Sequence, residues 1–319
     1  MTRPTAPAWQ VWTALWIVYV VWGSTYLAIA YAVETLPAAL SAAARFGAAA
    51  VVLAGWVAVR RGRAALRVTR RQVLGAGLVG SLLLLGGNGL VVLAQDADLP
   101  SGLAALLVAS VPLWVVVLRA LVHDRATPRT LAGVGLGFAG VAVLLLPGAR
   151  PEGVALGAAG LVVLAAFLWS VGSFTASRLD LPGDPLMTTA LQMAAGAAGL
   201  ALVGVLRGER VVLGDVSTAS WLGLAYLVVF GSLLAYTAYT WVLSAAPVSK
   251  VATYAYVNPV VAVGLGALLR GEDVTPLTAV GGAITVVAVA VVVREEGARR
   301  RREQDPAAAA VEAPVPSRA

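Results

Sequence analysis

The chain reads as an all-α membrane protein of about ten transmembrane helices, arranged as two inverted five-helix repeats. Three observations carry that reading. Of its 319 residues 60% are hydrophobic and 12% are charged, where ordinary soluble domains carry about a quarter charged residues. The apolar residues gather into runs near the roughly 20 residues that a helix needs to cross hydrocarbon. The first half also returns in the second at a constant offset of 147 residues, the separation of Trp22 from Trp169, of Pro100 from Pro247 and of Pro112 from Pro259. At the same offset Arg45 falls on Gln192, and after a one-residue shift Thr127-Pro128 and Gly133 fall on Thr275-Pro276 and Gly281. A repeat unit of five spans is odd, so its second copy enters the membrane from the opposite side, an arrangement suited to alternating access.

The expected spans follow in order. The first, 12–33, comes after MTRPTAPAWQ and is too long and too aromatic for a cleaved signal peptide. The second, 37–59, contains Arg45, and the third, 72–94, contains Asn88 within LGGNGL. The fourth, 100–122, opens on Pro100 and carries Pro112 deep in its apolar run; the ninth, 249–269, follows Pro247 and carries Pro259 in the same way. Each inner proline deprives the carbonyl one turn back, at Val108 or Ala255, of its helical bond. In lipid such breaks are tolerated where they face protein or a wet cavity, so Pro112 and Pro259 are expected to act as hinges beside a central site. The fifth span, 130–147, has Gly133 and Gly137 at a spacing that favours close helix packing, as do Gly77 and Gly80 in the third. The sixth, 153–177, holds Trp169; the seventh, 185–206, holds Gln192; the eighth, 220–243, holds Tyr236 and Tyr239; the tenth is 276–293. The units are thus a first repeat over 12–147, a second over 153–293, and a tail over 294–319 that is basic and then disordered.

Basic residues set the orientation. RRGRAALRVTRR, between the second and third spans, and Arg294 with the run Arg299 to Arg302 place both termini in the cytoplasm, the protein being multi-pass in the cytoplasmic (inner) membrane. The opposite loops hold only Arg150, Arg207, Arg210 and Arg270, some beside Glu209 and Glu272. The net charge of +7 is therefore a topological signal, and no nucleic-acid partner is expected. The absence of cysteine removes thiolate chemistry and cysteine metal sites, and the lone His123 cannot build a histidine-rich one. No cofactor and no metal are expected.

WGSTYLAIAYAVETLPAALSAAARF, PSGLAALLVASVPLW with HDRATPRTLAGVGLGFAGVAVLL, and in the second half TYAYVNPVV with GEDVTPLTAVGGA resemble the drug/metabolite transporter superfamily, EamA-domain branch. The resemblance runs from Trp22 to about Val293, and the order, spacing and duplication of the motifs make it specific. It implies ten helices as two inverted repeats, and export or exchange of small metabolites. One departure is visible: where the family usually has Gly-Glu-Arg after the fourth helix, this chain has His123-Asp124-Arg125.

The candidate residues each carry two readings. Arg45 lies about eight residues into its span, roughly 12 Å from the end; there it anchors a substrate carboxylate or phosphate, or it pairs with Glu34. Tyr19, Trp22 and Tyr26 share a helix face, and Trp169 answers Trp22 in the sixth span. These rings either wall a cavity for an amphipathic substrate or pack the bundle. Asn88, Gln192, Tyr236, Tyr239, Tyr254 and Asn258 need hydrogen-bond partners in hydrocarbon, supplied by substrate or by neighbouring helices. The cavity set is therefore Trp22, Tyr26, Arg45, Asn88, Trp169, Gln192, Tyr254 and Asn258, with a small molecule and the lipid bilayer as partners. Helices five and ten are expected to be scaffold and the face of a homodimer. No carboxylate falls in the middle of a span, which disfavours proton coupling, and no phosphate-binding glycine loop offers ATP hydrolysis. An intramembrane enzyme lacks its nucleophile and base; a membrane-embedded binding or structural protein without turnover is the other alternative.

The orientation is testable because the background is cysteine-free. With Arg67→Cys in otherwise unchanged protein, an impermeant thiol reagent applied to intact cells is expected to leave the cysteine unlabelled, and to label it once the cells are opened. Labelling from outside would reverse the topology.

Overall fold

Hydrocarbon gives a backbone no solvent to bond, so a chain this apolar must satisfy its N–H and C=O groups internally, which helices do within each segment. The computed structural model describes residues 7–122, 126–150, 154–246 and 248–304. Among them there is no strand, and nine helices are long and apolar enough to cross a membrane. These are α1 (Ala8–Ala32), α2 (Ala38–Arg61), α3 (Arg70–Asp96), α4 (Ser101–Leu121), α5 (Pro128–Leu145), α6 (Leu156–Ala176), α7 (Pro185–Leu206), α8 (Thr218–Tyr239) and, at the end of the series, α10 (Pro276–Arg299). Between the last two lies α9, Tyr254–Arg270, shorter but apolar.

The starts of the helices are written locally. Thr69 caps α3 in a reciprocal pair with Gln72, and Thr127 and Asp184 cap α5 and α7 just before Pro128 and Pro185. A proline is well placed there because the first helical N–H has no partner to lose.

Three expectations need correction. The fourth span is broken, not kinked: one segment ends at Val108, Ala109 and Ser110 form a turn, and a second segment, Val111–Leu121, starts with Pro112 in its first turn. Pro112 thus initiates a helix, and only Pro259 sits inside one. The ninth span starts at Tyr254 rather than at 249, because Val248–Val251 is a separate helical turn and Ala252-Thr253 breaks the path. The last helix does not end with the apolar run at 293 but continues to Gln304, so the basic stretch from Arg294 is helical. His123-Asp124-Arg125, Pro247 and residues 305–319 lie outside the described residues.

The two most extensive helix pairings are α2 with α7 and α5 with α10. Small residues permit both. A Cβ on Gly140 would come within 2.5 Å of Thr285 Oγ1 on α10, and one on Gly204 of α7 within 2.6 Å of Leu40 Cδ2 on α2. The glycine face of α5 is thereby used within the chain, while Leu131, Leu136, Val280 and Val287 of that pair remain exposed.

At the bundle end remote from the N-terminus, carboxylates bind the helix starts that the apolar sequence leaves bare. Glu209 accepts from the backbone N–H groups of Ala39 (3.2 Å) and Leu40 (2.9 Å), at the start of α2. Glu272 accepts from Ser101 and Gly102, both at 2.9 Å, at the start of α4. Each glutamate follows a glycine in the left-handed region, Gly208 (φ 69°) and Gly271 (φ 64°), which turns the chain back as α7 or α9 ends. A carboxylate there meets two orphan donors and the positive end of the helix dipole. Arg207 joins Asp96 and Glu209, and Arg270 pairs with Glu34, so this end is stitched across the two halves of the chain. Glu272→Ala and Glu209→Ala are each expected to lower stability by about 2 kcal/mol, read as a fall in the melting temperature of the purified protein. An unchanged melting temperature in both would remove the clamps from the account of the fold.

Candidate functional site

Helices from both halves converge on a central cavity of about 140 Å³, walled by residues of α1 to α4 and of α6 to α9. That is space for roughly ten waters, and so for a small metabolite. Three of the lining helices leave α geometry where they border it. Val18–Trp22 of α1, Ser81–Gly89 of α3 and Leu227–Leu234 of α8 are π-helical. A π turn inserts an extra residue and re-aims the side chains, and such turns gather at functional sites. Here they carry Trp22, Asn88, Gly231 and Ser232 to the wall. The break in α4 lies on the same wall through Val108, Ala109 and Val111, and Ser170 of α6 secures it by lying 3.0 Å from the Val111 carbonyl oxygen. Ala255, whose helical bond Pro259 removes, lines the cavity as well.

Of the sequence candidates, Trp22, Tyr26, Arg45, Asn88, Trp169, Tyr254 and Asn258 line this cavity, as does Pro259. Gln192 does not. It is buried behind Tyr236, whose hydroxyl stands 3.5 Å from its side-chain oxygen, and Met193 takes the place on the wall. Tyr19 also turns away, its hydroxyl meeting Thr253, because the π turn beginning at Val18 takes it off the face it would share with Trp22 in a regular helix.

The rings form one cluster. Trp22 packs against Tyr239 (4.9 Å between centroids), Tyr254 (5.4 Å) and Tyr236 (6.2 Å), and Tyr239 meets Tyr254 edge-on at 5.7 Å. Such geometry is favourable beyond the area it buries. The Trp22 indole N–H donates to the Gly231 carbonyl at 3.3 Å. Asn258, with its amide nitrogen turned inward, donates to the carbonyls of Tyr254 and Tyr19, each at 3.2 Å. Asn88 is different: its Oδ1 is buried and has no partner.

Arg45 is 6% exposed. Its Nε donates to Ser232 Oγ at 3.0 Å, its guanidinium carbon lies 4.8 Å from the centre of the Phe46 ring, and Nη1 has no partner. The alternative pairing with Glu34 is not made. Glu34 belongs to the connection before α2 and pairs with Arg270 at the end of α9, whereas Arg45 lies seven residues into α2, about 10 Å deeper.

Sequence reasoning did not single out Thr25, Phe46, Gly87, Ser232 or the alanines Ala105, Ala165 and Ala166, all of which line the wall. Ser232 had a faint signal as a lone hydroxyl in VVFGSLLA. The alanines had none, since they contribute by leaving volume empty. Gly87 admits Trp169: a Cβ there would stand 2.8 Å from the indole Cε3. Gly87→Ala is expected to displace that ring and to cost about 1–3 kcal/mol. Gly135→Ala, where nothing lies within 4 Å, is expected to be neutral or to stabilise by about 0.5–1 kcal/mol. Equal melting temperatures for the two variants would contradict the packing described.

The comparisons with known proteins point to membrane transporters. The model of the EamA-like transporter family matches the chain twice, over residues 11–146 and 156–294. An "Uncharacterized inner membrane transporter YedA" of Escherichia coli K12 is 34% identical over 276 residues, covering 86% of this chain and 88% of that protein. A "Probable amino-acid metabolite efflux pump" of Salmonella typhimurium is 25% identical over 282 residues, covering 85% and 90%. Among solved structures, one crystal structure shares the fold with a TM-score of 0.59 at 23% identity, covering 89% of this chain and 96% of its own.

Proposed function

The chain belongs to the EamA-like transporter family, and from that premise we propose that it carries a small organic metabolite across the cytoplasmic membrane by alternating access at the central cavity, in efflux or exchange. The observation that carries this reading is that one cavity is walled by both halves of the chain. If the halves are inverted copies, rocking one against the other opens that cavity first to one side and then to the other. The irregular backbone supports it. The break in α4, Pro259 in α9 and the π turns of α1, α3 and α8 all border the cavity, where helices need to bend without exposing polar groups to lipid. No Asp or Glu lies among the lining residues, which favours facilitated diffusion or exchange over a carboxylate proton relay. The name of the Salmonella relative supports the outward direction.

The test compares the metabolites released by cells carrying the wild-type protein, no protein, and Ala105→Phe, at matched abundance. Ala105 is buried on the cavity wall, so a phenylalanine fills the space. A set of compounds is expected outside wild-type cells and is expected to fall to background with Ala105→Phe. Pro259→Ala is expected to reduce the same release while the melting temperature holds or rises, since it restores a helical bond. Release that is identical with and without the protein, or unaffected by Ala105→Phe, would remove the reading.

A further inference from the structure

A bare cation in a neutral cavity is left unexplained by transport alone. A guanidinium is charged at every relevant pH, and its burial is costly unless something balances it. Among the described residues no carboxylate lies within ion-pair distance of Arg45: Glu34 is held by Arg270, Glu209 and Glu272 hold helix starts, and Asp96 is held by Arg207. Its partners are a neutral hydroxyl, Ser232, and a ring face, Phe46. The surroundings make room for the charge without cancelling it. A Cβ on Gly231 would stand 3.1 Å from Arg45 Nη2, so the glycine beside Ser232 leaves the guanidinium its place. The Ser232 bond fixes the guanidinium plane and leaves Nη1, buried and unpartnered, on a residue of the cavity wall.

We propose that the counter-charge arrives with the substrate: the cavity takes an organic monocarboxylate, seated on Arg45, with its apolar body toward the ring cluster of Trp22, Tyr236 and Tyr254. This rests on the transport reading and gives it a substrate class. A single cation suits a single negative charge; a phosphate, near two charges at neutral pH, would call for more donors than one guanidinium. The volume suits a molecule of metabolite size. Arg45 comes from α2 and Ser232 from the π turn of α8, so the anion site straddles the two halves, and a bound carboxylate would bear on both. Asn88 Oδ1, the unpaired acceptor on the same wall, is available to a donor elsewhere on the molecule.

The experiment compares released metabolites for wild type, Arg45→Gln, Arg45→Lys and Ala105→Phe at matched abundance, and the melting temperatures of the purified full-length proteins. The compounds lost with Ala105→Phe are expected to be carboxylic acids. Arg45→Gln is expected to reduce their release about tenfold or more, and Arg45→Lys by less, because lysine keeps the charge and loses the fork. Purified Arg45→Gln is expected to melt at or above the wild-type temperature, since the change removes an unbalanced buried charge. If the compounds lost with Ala105→Phe are neutral or cationic, or if Arg45→Gln releases the acids as well as wild type, the proposal is overturned while transport through the cavity stands. If Ala105→Phe changes nothing, both readings fall. Should Arg45→Gln not fold, Arg45→Lys decides: selective loss of acids supports the anchor, and equal loss of acidic and neutral compounds overturns it.

Discussion

Every backbone polar group in hydrocarbon must find its partner inside the protein, and the architecture follows from that requirement. It makes the chain helical, and it also governs the places where helices stop. At the starts of α2 and α4 the sequences PAAL and PSGL offer little capping chemistry of their own, and Glu209 and Glu272 reach over from the ends of α7 and α9 to accept the exposed N–H groups. A local need of one segment is met by a residue more than 150 positions away, so helix capping here also holds the halves of the chain together.

The same requirement explains where the backbone is irregular. Three π turns, one broken helix and one internal proline all border a single cavity. Facing lipid, each would leave carbonyl or amide groups without partners; facing a wet cavity, or a side chain such as Ser170, they are tolerated. Irregular backbone and cavity thus coincide for a physical reason. The side chains around the cavity are mostly apolar or aromatic, and into this setting the fold places one guanidinium balanced by no carboxylate among the described residues. Surrounded by low dielectric, that charge acts more strongly on an incoming anion than it would in water.

Much of this was legible in the sequence. The order of the spans came from runs of apolar length, and the cavity residues from polar and aromatic groups at depths where lipid would penalise them. Of the expected cavity set Gln192 does not reach the wall, and Tyr19, outside that set, leaves the face it is expected to share with Trp22. Gln192 is a polar group at membrane depth and the repeat counterpart of Arg45, but neither property aims a side chain, and Gln192 packs behind Tyr236. The spacing of Tyr19 and Trp22 gives a shared face only in a regular helix, and the π turn changes the register. Pro112, deep in an apolar run, predicts a kink within one helix; with Ala109 and Ser110 forming a turn just before it, the proline opens a new helix instead.

What the sequence determined alone is the membrane class, the number and order of the helices, and the duplication behind them, because length, hydropathy and periodic spacing are local quantities that hydrocarbon reads directly. Only the tertiary structure decided which partner each charged group takes. Arg45 with Ser232 rather than Glu34, Glu34 with Arg270, and the two glutamates on distant helix starts are outcomes of packing, since they depend on which helix ends meet. The cavity is likewise a tertiary fact: Ala105, Ala166 and Gly87 carry no chemistry in the sequence, and they matter because small residues from separate helices face one space.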